Sequence, residues 1–534
     1  MTSTRSRARA VLVPSLALTL FAGAAPPRYP SPDAHAVGAG YVREALEAMG
    51  GAARFRALRG VRVEGIGHTF YLEQSERFEG PWSVRYEQFS ELRELKTGGV
   101  RRTVQQRDYG SPQFAGGTTL VSGDAAARVA VGPDGQPRLA PGAPGSVEQT
   151  RRRADLAPER ILLLALDAPE LRAGRDTVVS GIPQHVVSFA HDGGTARLFL
   201  NAATHLPTVL ETRRAYPEDY FWSVWGDVTL RTTFTMWTLE PGGLRYPHQW
   251  STEWDGKPYS ATTLTAVRLD ADAPADSFAI PAEVAAAYRA SLASMRTPRT
   301  VDLGEVWSAR RAPAPSELRP GVVLVPGGYN VVLVRQPDGI VILETPFSPE
   351  YARRVLAETA RRFPGERIKA VVSTGDSWTY MGGVREYVAR GIPVYALDLN
   401  RAVLERVVRA PHTLDPDSLQ RAPHAARFRW VSGKTILGTG PNRLELYPVR
   451  GSGGERMMMA YFPEHRVLWG SDLVQGPFAD GSFFMPQYLS ELADAVRREG
   501  LAPETVMAMH RTPIEWSRVT TALESAAHPR TAAR

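Results

Sequence analysis

The sequence predicts an α+β protein in two parts. The first is one large antiparallel β-sheet, strongly curved or half-closed, and the second has two sheets flanked by helices, αββα in layer order. Three observations carry this. From Val37 to Ala287, strand-like stretches recur between Pro133-Asp134-Gly135, Asp192-Gly193-Gly194, Pro241-Gly242-Gly243 and Asp255-Gly256, the turn chemistry of hairpins. Between 288 and 320 the chain becomes polar and carries Pro313, Pro315 and Pro320, the composition of a linker. From Gly321 to the end at 534, strand and helix patterns alternate, as layered sheets and helices require.

The N-terminus reads as an address. Arg5, Arg7 and Arg9 precede a mostly apolar run from Val11 to Ala25, followed by the small-residue motifs Ala22-Gly23-Ala24 and Ala34-His35-Ala36. That is the layout of a secretory signal peptide, placed over 1–36. Its alternative is an uncleaved membrane-anchored N-terminus. Pro14, Ser15 and Thr19 interrupt the run, and neither it nor any later segment approaches the ~20 apolar residues of a spanning helix. No membrane span is expected after signal cleavage. With no cysteine the chain has no lipid-attachment thiol and no disulfide framework. The expected location is periplasmic or secreted.

A length of 534 residues, 43% apolar and 22% charged, is ordinary for two or three globular cores. The net charge of +7 is small for this length and gives no reason to expect a nucleic-acid partner. The densest basic run, Arg151 to Arg153, reads as a solvated loop.

In chain order, a helix over Tyr41 to Met49 and a second ending at Leu58 open the first region. Strands then follow at Val61 to Tyr71, Trp82 to Gln88, Val178 to Phe189, Ala196 to Leu200 and Thr208 to Thr212. Others follow at Val228 to Trp237, Gln249 to Trp254 and Ala261 to Leu269, all by period-2 alternation. Trp222, Trp225, Trp237, Trp250 and Trp254 concentrate near the end of this region; aromatic residues in a sheet read as core before they read as a ligand groove. His185, His191, His205 and His248 show no metal-ligand spacing.

After a helix from Val284 to Met295, the second domain offers strands at Val322 to Val325, Tyr329 to Arg335 and Ile340 to Leu343. Ser348-Pro349-Glu350 is an N-cap with proline at the first helical position, and that helix stops near Pro364-Gly365. Strand Ile368 to Val372 leads into a polar loop and the pair Gly382-Gly383. Strand, loop and glycine pair opening a helix place side chains at the mouth of a sheet.

Thr374-Gly375-Asp376-Ser377-Trp378-Thr379-Tyr380-Met381-Gly382-Gly383 lies without a gap along the pattern T-H-x-H-x-D-H-x-G-G. Here the chain resembles the metallo-β-lactamase fold family. Two further blocks agree in order: Met459 to Leu468 followed by Gly470-Ser471-Asp472, and Val506 to His510. The resemblance covers roughly Gly321 to Trp516 and implies an αββα fold holding one or two zinc ions. It also implies that Asp472 and His510 stand at ligand positions. The other ligand positions have been replaced. The family's histidines fall on Gly375, Ser377 and Tyr380, its aspartate on Thr379, and a further histidine in the stretch around Gly453. Three or more protein ligands normally hold such an ion, so no cofactor is expected unless the Asp472–His510 remnant binds zinc. The candidate pocket is Asp376, Ser377, Trp378, Thr379, Tyr380 and Gly453.

The first region resembles, more loosely, the periplasmic lipoprotein-carrier fold, through Leu198-Phe199-Leu200-Asn201, Thr204 and Leu206-Pro207. Three readings follow. The leading one is an exported, non-hydrolytic binding protein for a small-molecule or lipid ligand, with no catalytic residue. The second is a divergent metal-dependent hydrolase using Asp376, Asp472 and His510. The third is a carrier of a hydrophobic ligand through the first region. A metal-free Ser377–His510–Asp472 arrangement has the residue types of nucleophile, base and orienter but lacks a nucleophile-elbow motif.

Overall fold

The computed structural model describes residues 33–527 except 74–76, 109–113, 133, 306–313 and 479–480. The positive N-terminal segment and the first cleavage motif lie outside the described residues. The second motif, Ala34-His35-Ala36, forms the first turn of helix Ala34–Met49, which Asp33 caps by accepting from His35 N.

The first region is a single 14-stranded sheet, antiparallel throughout. The chain runs outward from Gly60–Phe70 to Pro137–Pro141. It then crosses through two helices and returns from the opposite edge, until Lys257–Leu269 pairs with Gly60–Phe70. Val42, Leu46 and Met49 of the first helix, with Ile161, Leu162 and Ala165 of helix Pro158–Asp167, cover one sheet face over Val61, Phe89, Val187 and Phe234. The i, i+3, i+4, i+7 spacing that predicts a helix is the spacing that reaches this core.

Several elements here differ from the sequence reading. Strands Val100–Arg107, Ala115–Ser122, Ala125–Val131 and Pro137–Pro141 extend the sheet. Their Arg-, Gln-, Ala- and Gly-rich sequences carry little intrinsic strand signal; ladder hydrogen bonds to neighbours hold them. Arg151 to Arg153 are not a loop: they belong to helix Ser146–Asp155, and Arg153 pairs with the buried Glu91 at 3.1 Å. Helix Ala282–Leu292 packs Ala285 and Tyr288 against Val100, Val121 and Ala126, so first-region structure continues past residue 287.

The second part contains a 7-stranded sheet and a 6-stranded sheet. Strand Ser316–Arg319 edges the first of these, so the segment expected as linker already contributes to it. Val331–Gln336, Gly339–Leu343 and Ile368–Ser373 are near-continuous apolar runs, as strands buried on both faces require. Alternation separates two cores across the 6-stranded sheet. Met458, Ala460, Trp469 and Met507 face the 7-stranded sheet. Met459, Leu468, Val506 and Ala508 face Leu489, Leu492 and Val496 of helix Pro486–Arg498.

The two parts share a third core. Leu72, Phe78, Trp225 and Trp254 from the first region pack with Trp378, Met381, Val384, Val403 and Val407 of the second. Trp225 and Trp254 are therefore core residues.

Candidate functional site

The loop after strand Ile368–Ser373 holds most of the candidate residues, and close backbone approach sets its path. A Cβ on Gly382 would stand 2.1 Å from the Phe347 carbonyl oxygen, so only glycine lets the loop pass there. Gly383 N donates to Thr345 O at 2.8 Å, Phe347 N to Thr379 O at 2.8 Å, and Thr345 Oγ1 to Tyr380 O at 2.8 Å.

Behind the loop lies a buried polar cluster. Glu344 accepts from Thr374 Oγ1 and from Trp469 Nε1 at 3.1 Å, while Thr374 Oγ1 and Ser471 Oγ meet at 2.8 Å. Glu344 and Ser471 take φ values of 88° and 52°, a left-handed backbone that costs side-chain-bearing residues on the order of 1–3 kcal/mol each. Burial pushes the Glu344 carboxyl up to about 8, with Asp472 adding to the rise against hydrogen bonds that oppose it. Glu344 is thus a neutral acid at pH 7.

Asp472 follows Ser471 just past the end of strand Val467–Trp469. His510 Nε2 stands 3.2 Å from Asp472 Oδ1, the Tyr380 phenol lies beside the same carboxylate, and Asp472 Oδ1 has no hydrogen-bond partner among the described residues. Burial, then the Asp472 charge, holds the Tyr380 phenol well above its ordinary value. Tyr329 sets its ring edge-on to His510 at 4.8 Å and to Tyr380 at 4.9 Å. The backbone on either side is pinned: Met509 N donates to Ser471 O at 2.9 Å and Asn330 N to Met509 O at 2.7 Å.

The predicted site residues divide into two groups. Asp472, His510 and Tyr380 come together, with Thr379 beside Tyr329 at the same place. Asp376, Ser377, Trp378 and Gly453 go elsewhere. Asp376 is raised to about 7, first by burial, and its charged neighbours are Arg456, Glu79 and Glu455, so it does not join Asp472 and His510. Ser377 Oγ donates to Glu73 O at 3.3 Å, which leaves the nucleophile, base and orienter set unassembled. Trp378 enters the core between the two parts, 4.6 Å from Trp254 and 5.0 Å from Trp225 between ring centroids. At Gly453 the Cβ position is filled by the Tyr488 ring, 2.3 Å away, and its N–H donates to Glu491 Oε1 at 2.9 Å.

Sequence reasoning missed Glu344 and Tyr329. The available signal for Glu344 was a carboxylate directly ending the buried strand Gly339–Leu343; for Tyr329 there was none.

The residues present do not fit a zinc ion. Among the described residues no group of three or more His, Cys, Asp or Glu side chains is placed to hold a metal. Only two donors meet there among the described residues, Asp472 and His510, 3.2 Å apart. Even a methyl group on Gly375 would lie 3.2 Å from the Tyr380 ring. What these residues form is a carboxylate–imidazole pair walled by two tyrosines, able to accept and donate hydrogen bonds.

No protein-family model and no curated protein matches the sequence. Similar solved structures include TMB-1, 16% identical over 40% of this chain and 97% of that one with a TM-score of 0.31. A metallo-β-lactamase from Erythrobacter litoralis is 17% identical over 40% and 95%, TM-score 0.30. The DIM-1 metallo-β-lactamase is 14% identical over 40% and 96%, TM-score 0.31. The likeness to metallo-β-lactamases is distant and confined to one region.

Proposed function

We propose that this chain is an exported binding protein with a metallo-β-lactamase-like second domain that does not carry out metal-dependent hydrolysis. The observation that carries the reading is the placement of Tyr380. Its ring lies 3.2 Å from where a Cβ on Gly375 would stand, and its phenol sits beside Asp472, the carboxylate a metal would otherwise claim. The alternative ligand set of Asp376, Asp472 and His510 has no support in this geometry, because Asp376 faces Arg456 and the two glutamates instead.

Elemental analysis tests the reading. Chain purified without affinity-column metal, exposed to excess zinc and dialysed is expected to retain far less than one ion per molecule. One or two tightly held ions per chain overturn the proposal and make the protein a divergent metallo-hydrolase.

A further inference from the structure

A second site lies in the first region, far in sequence from the one above. Glu87, Phe89 and Glu91 of strand Val84–Glu94 pair with Gln106, Val104 and Arg102, and these with Ala115, Gly117 and Thr119. Such rungs present one face of the sheet. It is the face that helix Pro158–Asp167 covers elsewhere with Ile161, Leu162 and Ala165. Over these rungs, however, helix Ser146–Asp155 turns a polar stripe toward the sheet: Ser146, Gln149, Thr150 and Arg153, at i, i+3, i+4 and i+7. Helix and sheet do not close-pack there. They leave a cleft of about 460 Å³, within the size range of small-molecule sites.

The cleft has a floor, a polar wall and a charged contact. Val104 and Val121 line its base, and a Cβ on Gly117 would meet nothing within 4 Å, so the cavity opens directly above that glycine. No hydrogen bond to a described residue occupies the side chains of Gln149 or Thr119. Arg102 divides its fork between Glu87 at 2.8 Å and Glu91 at 3.3 Å. Arg153 reaches Glu91 at 3.1 Å through one nitrogen, and its side chain is 44% exposed. Glu91 is the anchor: burial alone would raise its carboxyl, but the guanidiniums of Arg153, Arg93 and Arg102 hold it down at about 2. Arg102 and Arg153 are therefore fixed in place, and Arg153 keeps donors to spare. A guanidinium suits the planar, two-oxygen geometry of a carboxylate, and the valines suit a carbon skeleton.

We propose that this cleft binds a small organic carboxylate, with Arg153 as its anion contact, Gln149 and Thr119 as hydrogen-bond partners, and Val104 and Gly117 beneath its carbon atoms. The inference is independent of the metal question at Asp472 and His510.

Calorimetric titration of the full chain with glucuronate, hexanoate, glucose and inorganic phosphate tests it. Glucuronate or hexanoate is expected to bind one to one, glucose not at all, and phosphate more weakly than the carboxylate. Gly117→Val fills the cleft without touching a charge and is expected to abolish binding while the melting temperature holds. Arg153→Gln is expected to weaken binding by about ten- to a hundredfold, the loss of a charge-assisted hydrogen bond. Asp472→Asn leaves binding unchanged. Failure of both carboxylates to bind at millimolar concentration overturns the proposal. So does phosphate binding as tightly as they do, or undiminished binding to Gly117→Val.

Discussion

Glu344 shows how far one buried carboxyl can govern pH behaviour. Its folded value is raised to about 8, against ~4.3 in an unfolded chain. Above ~4.3 the unfolded state releases a proton that the folded state retains, so unfolding is increasingly favoured as pH rises. The loss accumulates up to about 8, at roughly 1.4 kcal/mol per pH unit, and then levels off. Glu344→Gln keeps an acceptor for Trp469 Nε1 and removes the titration. Thermal melts of this variant across that window are expected to fall less steeply than those of the parent chain, and parallel curves would show that Glu344 is not the group responsible. Asp376, raised to about 7 by burial, acts with the same sign and leaves a residual slope in the variant.

At the level of elements, the helix Pro349–Arg362 shows a cap with two tasks. Ser348 Oγ accepts from Tyr351 N at 3.1 Å and donates to Pro298 O at 2.6 Å. One bond satisfies an orphan amide of the first turn; the other ties the helix start to the chain arriving from the first region. Ser348→Ala loses both, and a destabilisation of about 1–3 kcal/mol is expected, read as a lower denaturant midpoint with unchanged m-value. The cap was legible in the sequence as Ser348-Pro349-Glu350, because capping is local chemistry. Helix Ser146–Asp155 was not, because a polar stripe with Arg151 to Arg153 looks like any solvated segment until Val147 is seen to pack against Val100 and Val121 of the sheet.

For the whole molecule, the decisive residue is Trp378. It packs edge-on against Trp225 and tilted against Trp254 and lies 6.4 Å from Phe78, joining the two parts in one core. Two reciprocal ion pairs flank it, Arg77 with Glu455 at 2.8 Å and Arg456 with Glu79 at 3.1 Å. Arg77 and Glu79 are about half exposed, so these pairs add little beside the aromatic packing. Trp378→Ala removes a buried indole, at a cost of about 3–5 kcal/mol. Scanning calorimetry is expected to show one cooperative transition for the parent chain and two for the variant; a single transition in both would mean that other contacts couple the parts.

The sequence by itself determined the period-2 strands, the apolar runs of the doubly covered sheet, the Ser348 cap and the absence of a histidine or carboxylate at Gly375, Ser377, Thr379 and Tyr380. Each is a matter of residue type and local spacing, which one stretch of chain carries alone. Only the tertiary structure decided that Asp472, His510 and Tyr380 meet while Asp376, Ser377 and Gly453 do not. It alone placed Trp378 between the two parts, and it alone turned the Arg153 helix onto the sheet. These depend on which surfaces come together across hundreds of residues, and burial there sets both the ionisation of Glu344 and the room left for a ligand.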